Sequence, residues 1–441
     1  MNIEQTFKNA AALQEAGRWA EAEAQYLLVA KQLPNAAAVH WNLAVVRKQQ
    51  GKWAPALESY RKAAKLDPTT RGADFSIGLC LQALGRMEEA AAAFTRAAQV
   101  EPDDPVARYN LSAALRELGR GREALAHSRA VTELAPDFDE GWLQLDKLRA
   151  TLLPHWHLPM MNDAPRNAAY QAAIEAVVKP GDLVLEIGTG SGLLAMMAAR
   201  AGARHVVTCE GDPMIAETAR RIIAANGYAD RVTVLNKFST DLDIGPDLPE
   251  RADVLLSEIL SSDLLSERVI PAVADARARL LKPDARLIPE QAGVRAALAG
   301  GEHLEKNFFV GEVCGFDLSP FTALSPRMGR FDWKNVAFDV LSPTFEPFRV
   351  DFTGSLPTGP ERTTLTVPVT RTGRCAGALQ WIWLKLADGV EFENRPDDPN
   401  PASGWQVGVY LPDAPFEVQE GATVEVRAFH DLHNVRLGFR G

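Results

Sequence analysis

Along the first third of the chain, apolar residues return at helical spacing, and the pattern itself returns every 34 positions. Gly17, Gly51, Gly85 and Gly119 form one series, Ala22, Ala56, Ala90 and Ala124 a second, and Pro34, Pro68, Pro102 and Pro136 a third. Large apolar residues keep the same step, as Tyr26, Tyr60 and Phe94 and as Trp41, Phe75 and Tyr109. Each unit reads as two amphipathic helices. The glycine sits in the turn between them, the alanine lets them approach closely, and the proline ends the second. From Gly181 the texture changes to short apolar strands separated by helical stretches: "LVLEIGTGSG", "HVVTCEGD", "RVTVLNKF", "ADVLLSE" and "ARLIPE". That alternation predicts a parallel sheet wrapped by helices. Beyond Pro289 the chain is rich in Gly, Pro and alternating strands, as in "TTLTVPVTRT" and "ALQWIWLKLA", which predicts a β-barrel or sandwich.

The expected architecture is therefore multidomain: an all-α solenoid over residues 1–150, an α/β domain over 151–290 and a β-barrel-like domain over 291–441. A length of 441 residues fits this, since it exceeds one ordinary core. The 34-residue units resemble a tetratricopeptide array, which implies a concave face for a peptide or partner protein; a rigid scaffold or dimerisation element is the alternative. A net charge of −10 provides no field for a polyanion, so nucleic acid and anionic membrane are not expected as partners. The four cysteines, Cys80, Cys209, Cys314 and Cys375, form no C-x-x-C pair, so neither a metal site nor a disulfide framework is expected. The opening residues lack the order of a secretory signal and no apolar run approaches a membrane span, so a cytoplasmic location is expected.

Chemistry enters with the first turn of the α/β region. Gly188, Gly190 and Gly192 let the chain turn tightly after a strand and let a ligand lie against the backbone near a helix start. Position 193 is leucine, so the dinucleotide pattern G-x-G-x-x-G is not met; E-x-G-x-G-x-G stands instead, with Glu186 ahead of the turn. Glu210 ends the second strand, where a carboxylate accepts hydrogen bonds from both hydroxyls of a ribose. Together these read as a nucleoside pocket without a pyrophosphate, the alternative being an ordinary turn in another α/β fold. The pattern resembles motif I and the following acid of the class I S-adenosylmethionine-dependent methyltransferases, which implies a Rossmann-like methyltransferase domain and S-adenosylmethionine as cofactor.

The stretch "LLSEILSSDLLSER" leaves the fourth strand with Glu258 and Glu267 nine positions apart. If residues 259–266 double back, both acids reach the carboxyl edge of the sheet, where open α/β folds bind ligands. Two carboxylates at such range repel by about 4 kcal/mol at an effective dielectric of 20. A guanidinium between them removes that penalty, because its fork of donors matches carboxylates and it stays charged at neutral pH. The plainer alternative is that Glu258 caps a helix and Glu267 faces solvent.

The stretch resembles the double-E loop of the protein arginine methyltransferases, and the resemblance extends over residues 154–441. "WHLPMMNDAPRNAAY", Trp156 to Tyr170, is similar to the family segment that folds over the cofactor. The match implies that Arg166 pairs with the cofactor carboxylate, Asp163 orients it, Met160 lines the site near the methyl group and His157 sits at its edge. A linker with a helix start at Asp163 is the alternative. "NKFST" implies Lys237, Phe238 and Ser239 at the adenine, although a core Phe238 is also open. "CGFDLSPF" is similar to the segment before the family's dimerisation arm, which admits a homodimer. "SGWQVGVYLP" stands in place of the family's Thr-His-Trp loop. Ser403 and Gly404 replace the Thr-His pair, whose histidine helps to hold one catalytic glutamate, while Trp405 remains to wall the arginine pocket or to serve as core. The wording of motif I and the repeats in front imply mono- or symmetric dimethylation of a protein substrate with an accessible arginine. A methyltransferase of a small molecule or another side chain, and a catalytically weak scaffold, are the competing readings.

Overall fold

The computed structural model describes residues 2–152, 157–324, 326–331, 336–397 and 404–439, so Trp156 and Ser403 lie outside the described residues. Two compact units divide the chain, residues 1–154 and 155–441. The first is a series of helices: α1 (Ile3–Glu15), α2 (Trp19–Gln32), α3 (Ala37–Gln49), α4 (Trp53–Leu66), α5 (Ala73–Ala83), α6 (Met87–Val100), α7 (Pro105–Glu117), α8 (Gly121–Leu134) and α9 (Asp139–Leu152). Ala22, Ala56, Ala90 and Ala124 are fully buried where paired helices meet. The two aromatic series meet inside each repeat, Trp41 against Tyr60 at 5.0 Å between ring centroids and Phe75 against Phe94 at 5.8 Å. The fourth repeat departs because the next member of the tyrosine series is Ser128, and Tyr109 packs on Phe138 instead.

Gly17, Gly51, Gly85 and Gly119 take φ between 71° and 73°, and a Cβ at any of them meets nothing within 4 Å. The requirement is therefore conformational, since L-residues avoid the left-handed region. Gly85→Ala is expected to cost roughly 1–2 kcal/mol and to lower the melting of the repeat unit by a few degrees in calorimetry.

The second unit opens with α10 (His157–Met161) and α11 (Ala164–Val177). A parallel sheet follows, made of β1 (Leu183–Ile187), β2 (His205–Cys209), β3 (Val232–Leu235), β4 (Ala252–Ser257) and β5 (Leu281–Ile288) in the order β3-β2-β1-β4-β5. Helices α12 (Leu193–Ala201), α13 (Pro213–Ala225) and α14 (Val269–Arg279) provide crossovers. Every residue of β1 is buried, as a central parallel strand covered on both faces requires. The strand order turns back between β1 and β4, so the loops leaving these strands diverge and leave a crevice at their carboxyl ends.

After β5 the chain becomes antiparallel. β6 (Gln291–Gly300) lies beside the long strand Gly373–Ala387 in an eight-stranded sheet, and Glu361–Pro368, Thr423–His430 and Val435–Phe439 form a three-stranded one. Helix α11 packs against Gly373–Ala387, and the Glu290 amide donates to the Lys385 carbonyl at 2.8 Å. Arg277 of α14 donates to the carbonyls of Phe352 at 3.0 Å and Gly354 at 2.6 Å. The α/β and antiparallel parts thus share one unit. Among the described residues, no helix is long and apolar enough to cross a membrane.

Candidate active site

The turn after β1 holds Gly188, Gly190 and Gly192 at φ of 89°, 51° and 79°. Gly188 has a second constraint: a Cβ there would stand 2.7 Å from Ile259 Cγ2 and 3.4 Å from the Glu258 carbonyl. The glycine turn and the loop leaving β4 are therefore in van der Waals contact. Gly190 faces open space, and its amide donates to Glu210 Oε2 at 3.2 Å, while the Asp212 amide donates to Glu210 Oε1 at 2.9 Å. Glu210 thus closes the glycine turn onto the end of β2.

The loop between the two glutamates does double back. The Leu264 amide donates to the Ser261 carbonyl at 2.8 Å, and Leu264 and Arg268 take φ of 77° and 64° without being glycine. Such strain persists where surrounding contacts over-determine it. Leu264 is fully buried, and Asp263 accepts from Ser261 Oγ and from the Ser266 amide. Across the crevice, Gln380 Nε2 donates to the Ser262 carbonyl at 2.9 Å and the Gln406 amide donates to Ser262 Oγ at 2.9 Å. Trp405 Nε1 donates to the Leu260 carbonyl at 2.5 Å. Asn394 holds the other side of that turn by donating to the Trp405 carbonyl at 3.2 Å.

The Glu258 side chain is 8% exposed and ion-paired with Arg166, Nη2 to Oε2 at 2.8 Å. Arg166 lies in the first turn of α11, whose N-cap Asp163 accepts the Arg166 amide at 3.1 Å. Its guanidinium carbon sits 5.2 Å from the Tyr170 ring centroid and 5.5 Å from that of Trp405. The planar cation expected beside the acids is thus supplied by the chain itself at Glu258, and Trp405 carries Arg166 on its face. Glu267 is exposed and has no hydrogen-bond or ion-pair partner among the described residues. Loss of water around its carboxyl, then repulsion by Glu258, Asp263 and Glu210, push it up to about 7. Burial likewise raises Glu258 above the ordinary carboxylate value, with Arg166 opposing. Glu258 is thus among the charges that raise Glu267.

Other predicted residues fall as follows. Glu186 is 1% exposed on β1, neither carboxyl oxygen has a close hydrogen-bond partner among the described residues, and burial pushes it up to about 8, with Thr208 and the Ala195 amide opposing and the charges of Glu210 and Glu258 adding to the rise. Met160 packs its backbone against Gly404, and His157 begins α10 half-buried. Lys237 is engaged by Asp247 at 2.7 Å. Phe238 is 67% exposed and lies over Gly211, so it is not core, and Ser239 is buried. The sequence reading passed over Gln380 and Asn394, although a lone glutamine inside "ALQWIWLKLA" was a signal: a polar side chain in a buried apolar strand needs a partner.

The residues present fit an amino-acid-bearing nucleoside. Arg166 is 4% exposed, and among the described residues neither its Nε nor either oxygen of Glu186 has a close hydrogen-bond partner. A buried donor on a cation and a buried acceptor on an acid are complementary to a carboxylate and an ammonium, and leaving such groups unmet is costly. Among the described residues no group of three or more His, Cys, Asp or Glu is placed to hold a metal ion.

A family model described as ribosomal protein L11 methyltransferase (PrmA) matches residues 170–290, and two tetratricopeptide repeat models match 81–148 and 37–70. An arginine N(omega)-methyltransferase of Streptomyces achromogenes subsp. streptozoticus is 37% identical over 289 residues, 62% of this chain and 76% of that protein. This chain belongs to the arginine N-methyltransferase family. Protein arginine N-methyltransferase 7 of Oryza sativa subsp. indica is 34% identical over 263 residues, and the chain spans only 36% of its length. The Trypanosoma brucei PRMT1 enzyme-prozyme heterotetrameric complex with AdoHcy shares the fold at a TM-score of 0.55 and 22% identity, over 65% of this chain and 93% of that one. Arabidopsis thaliana protein arginine methyltransferase 10 does so at 0.52 and 23%, over 61% and 86%.

Family membership makes S-adenosylmethionine the methyl donor. Gly188→Ala is then expected to weaken S-adenosylhomocysteine at least about tenfold in titration calorimetry, because the new methyl meets Ile259 at a strained φ beside the donor.

Proposed function

We propose that this protein transfers a methyl group from S-adenosylmethionine to a guanidinium nitrogen of protein arginine, giving mono- or symmetric dimethylarginine. The observation that carries the reading is the acid pair: Glu258 and Glu267 flank one tightly turned loop that packs on the glycine turn at the β1–β4 crevice. Bound S-adenosylmethionine supplies an electrophilic methyl group on a sulfonium. Arg166 would hold its carboxylate, Glu186 its ammonium and Glu210 its ribose hydroxyls, with the glycine turn beneath. Glu258 and Glu267 would grip the guanidinium by charge-assisted hydrogen bonds and aim one nitrogen. As that nitrogen gains a carbon it sheds a proton, and a carboxylate raised toward neutrality is suited to take it.

The repeat unit serves as a docking face for a peptide or partner protein. Exposed Phe316, Phe321 and Leu324 support a homodimer arm as the resemblance implies. Four unpaired cysteines, three of them buried, agree with a cytoplasmic location.

The Streptomyces relative's name speaks of arginine and those of the other relatives of protein arginine, so the test carries both. Incubation with isotopically labelled S-adenosylmethionine and, separately, arginine-rich protein, free arginine and lysine-rich protein, followed by mass resolution of the products, decides among them. Labelled methylarginine in protein is expected. Label confined to free arginine would move the substrate to the amino acid, and label on lysine or on no guanidinium would overturn the reading.

A further inference from the structure

Gly404 sits where the resemblance puts a histidine, and the structure gives this position a task that needs no side chain. Its amide donates to Asp163 Oδ2 at 3.1 Å, while Asp163 Oδ1 accepts the Arg166 amide. A Cβ on residue 404 would stand 2.6 Å from Met160 Cα, 2.7 Å from its Cβ and 3.0 Å from its backbone nitrogen. Main chain cannot swing aside as a flexible side chain does, so any larger residue must push α10 away from the turn. The next two residues hold the other wall: Trp405 reaches the Leu260 carbonyl and covers Arg166, and Gln406 reaches Ser262.

We propose that the main-chain amide of Gly404 is a positioning group for the acid pair, tying Asp163, and through it Arg166 and Glu258, to the loop that carries Glu267. Three consecutive residues then bind the segment before α11 and the loop after β4 to one strand-end turn. The approach of residue 404 to Met160 makes glycine a requirement, and restoring the family's histidine would harm the enzyme. This inference rests on the arginine methyltransferase reading.

The test compares the full-length protein with Gly404→Ala, Gly404→His and Asp163→Asn, using whichever arginine substrate the wild type methylates. Asp163→Asn adds no bulk, yet can accept only one of the two amides that Asp163 now accepts. All three variants are expected to lose turnover by at least about tenfold, as small misplacements of reacting groups do. In the Gly404 variants a second acidic limb, that of Glu258, should join that of Glu267 and steepen the fall at low pH, because a loosened Arg166 no longer opposes the rise at Glu258. A merely less stable protein would lose rate equally at every pH. Gly404→His with wild-type turnover, or losses uniform across pH in the Gly404 variants, would overturn the proposal. Should those variants not fold, wild-type turnover in Asp163→Asn would do so. A wild type that binds S-adenosylhomocysteine but methylates no guanidinium would sink the functional reading instead, and the two failures are distinct.

Discussion

Replacing Glu258 with glutamine is expected to abolish most turnover, by on the order of a thousandfold, while leaving S-adenosylhomocysteine binding measurable. Glutamine keeps the shape of the side chain but loses the charge that grips a guanidinium and can take its proton. The same change strips Arg166 of its buried partner, and breaking such a pair costs about 3–5 kcal/mol. The free variant should therefore melt several degrees below the wild type, and donor product should restore part of the loss by giving Arg166 a carboxylate. Scanning calorimetry with and without S-adenosylhomocysteine, beside single-turnover assays, checks both halves. Turnover within a few-fold of wild type would remove Glu258 from the chemistry.

The second large effect is on pH. Glu267 is pushed up to about 7, so below that value it is increasingly protonated and neutral, and above it is the carboxylate that a cation needs. At saturating donor, kcat/KM for the arginine substrate should fall as pH drops through about 7, approaching tenfold per unit. The profile of kcat should fall at lower pH, because a bound guanidinium favours the ionised acid. Glu267→Gln should leave a slow reaction without that limb. A flat wild-type profile between pH 6 and pH 8 would contradict this assignment.

What could be read from the sequence was whatever local backbone geometry demands. A left-handed turn wants glycine, and so the repeat positions from Gly17 to Gly119 and the turn at Gly188 announced themselves. Buried strands want apolar runs, which exposed β1 and made Glu186 conspicuous inside it. The Arg166–Glu258 pair was hidden, since it joins residues far apart in the chain and each resembles a residue that holds a different guest. The work of Gly404 was hidden for another reason: a main-chain amide has no letter in a sequence, and the residue reads as a loss until its neighbours are known. Of the two readings open for Phe238, a place at the adenine or in the core, the exposed ring over Gly211 excludes the core, although an aromatic beside a strand is more often core than surface.

The acid pair is lopsided, with the Glu258 side chain buried and already ion-paired, while Glu267, on a residue open to solvent, has a partly dehydrated carboxyl and no ion-pair partner among the described residues. An arriving side chain is thus greeted at the doorway before it can reach the floor. Capture and alignment become separate events, so a poor guest can be turned back at the threshold before the inner pair has to open.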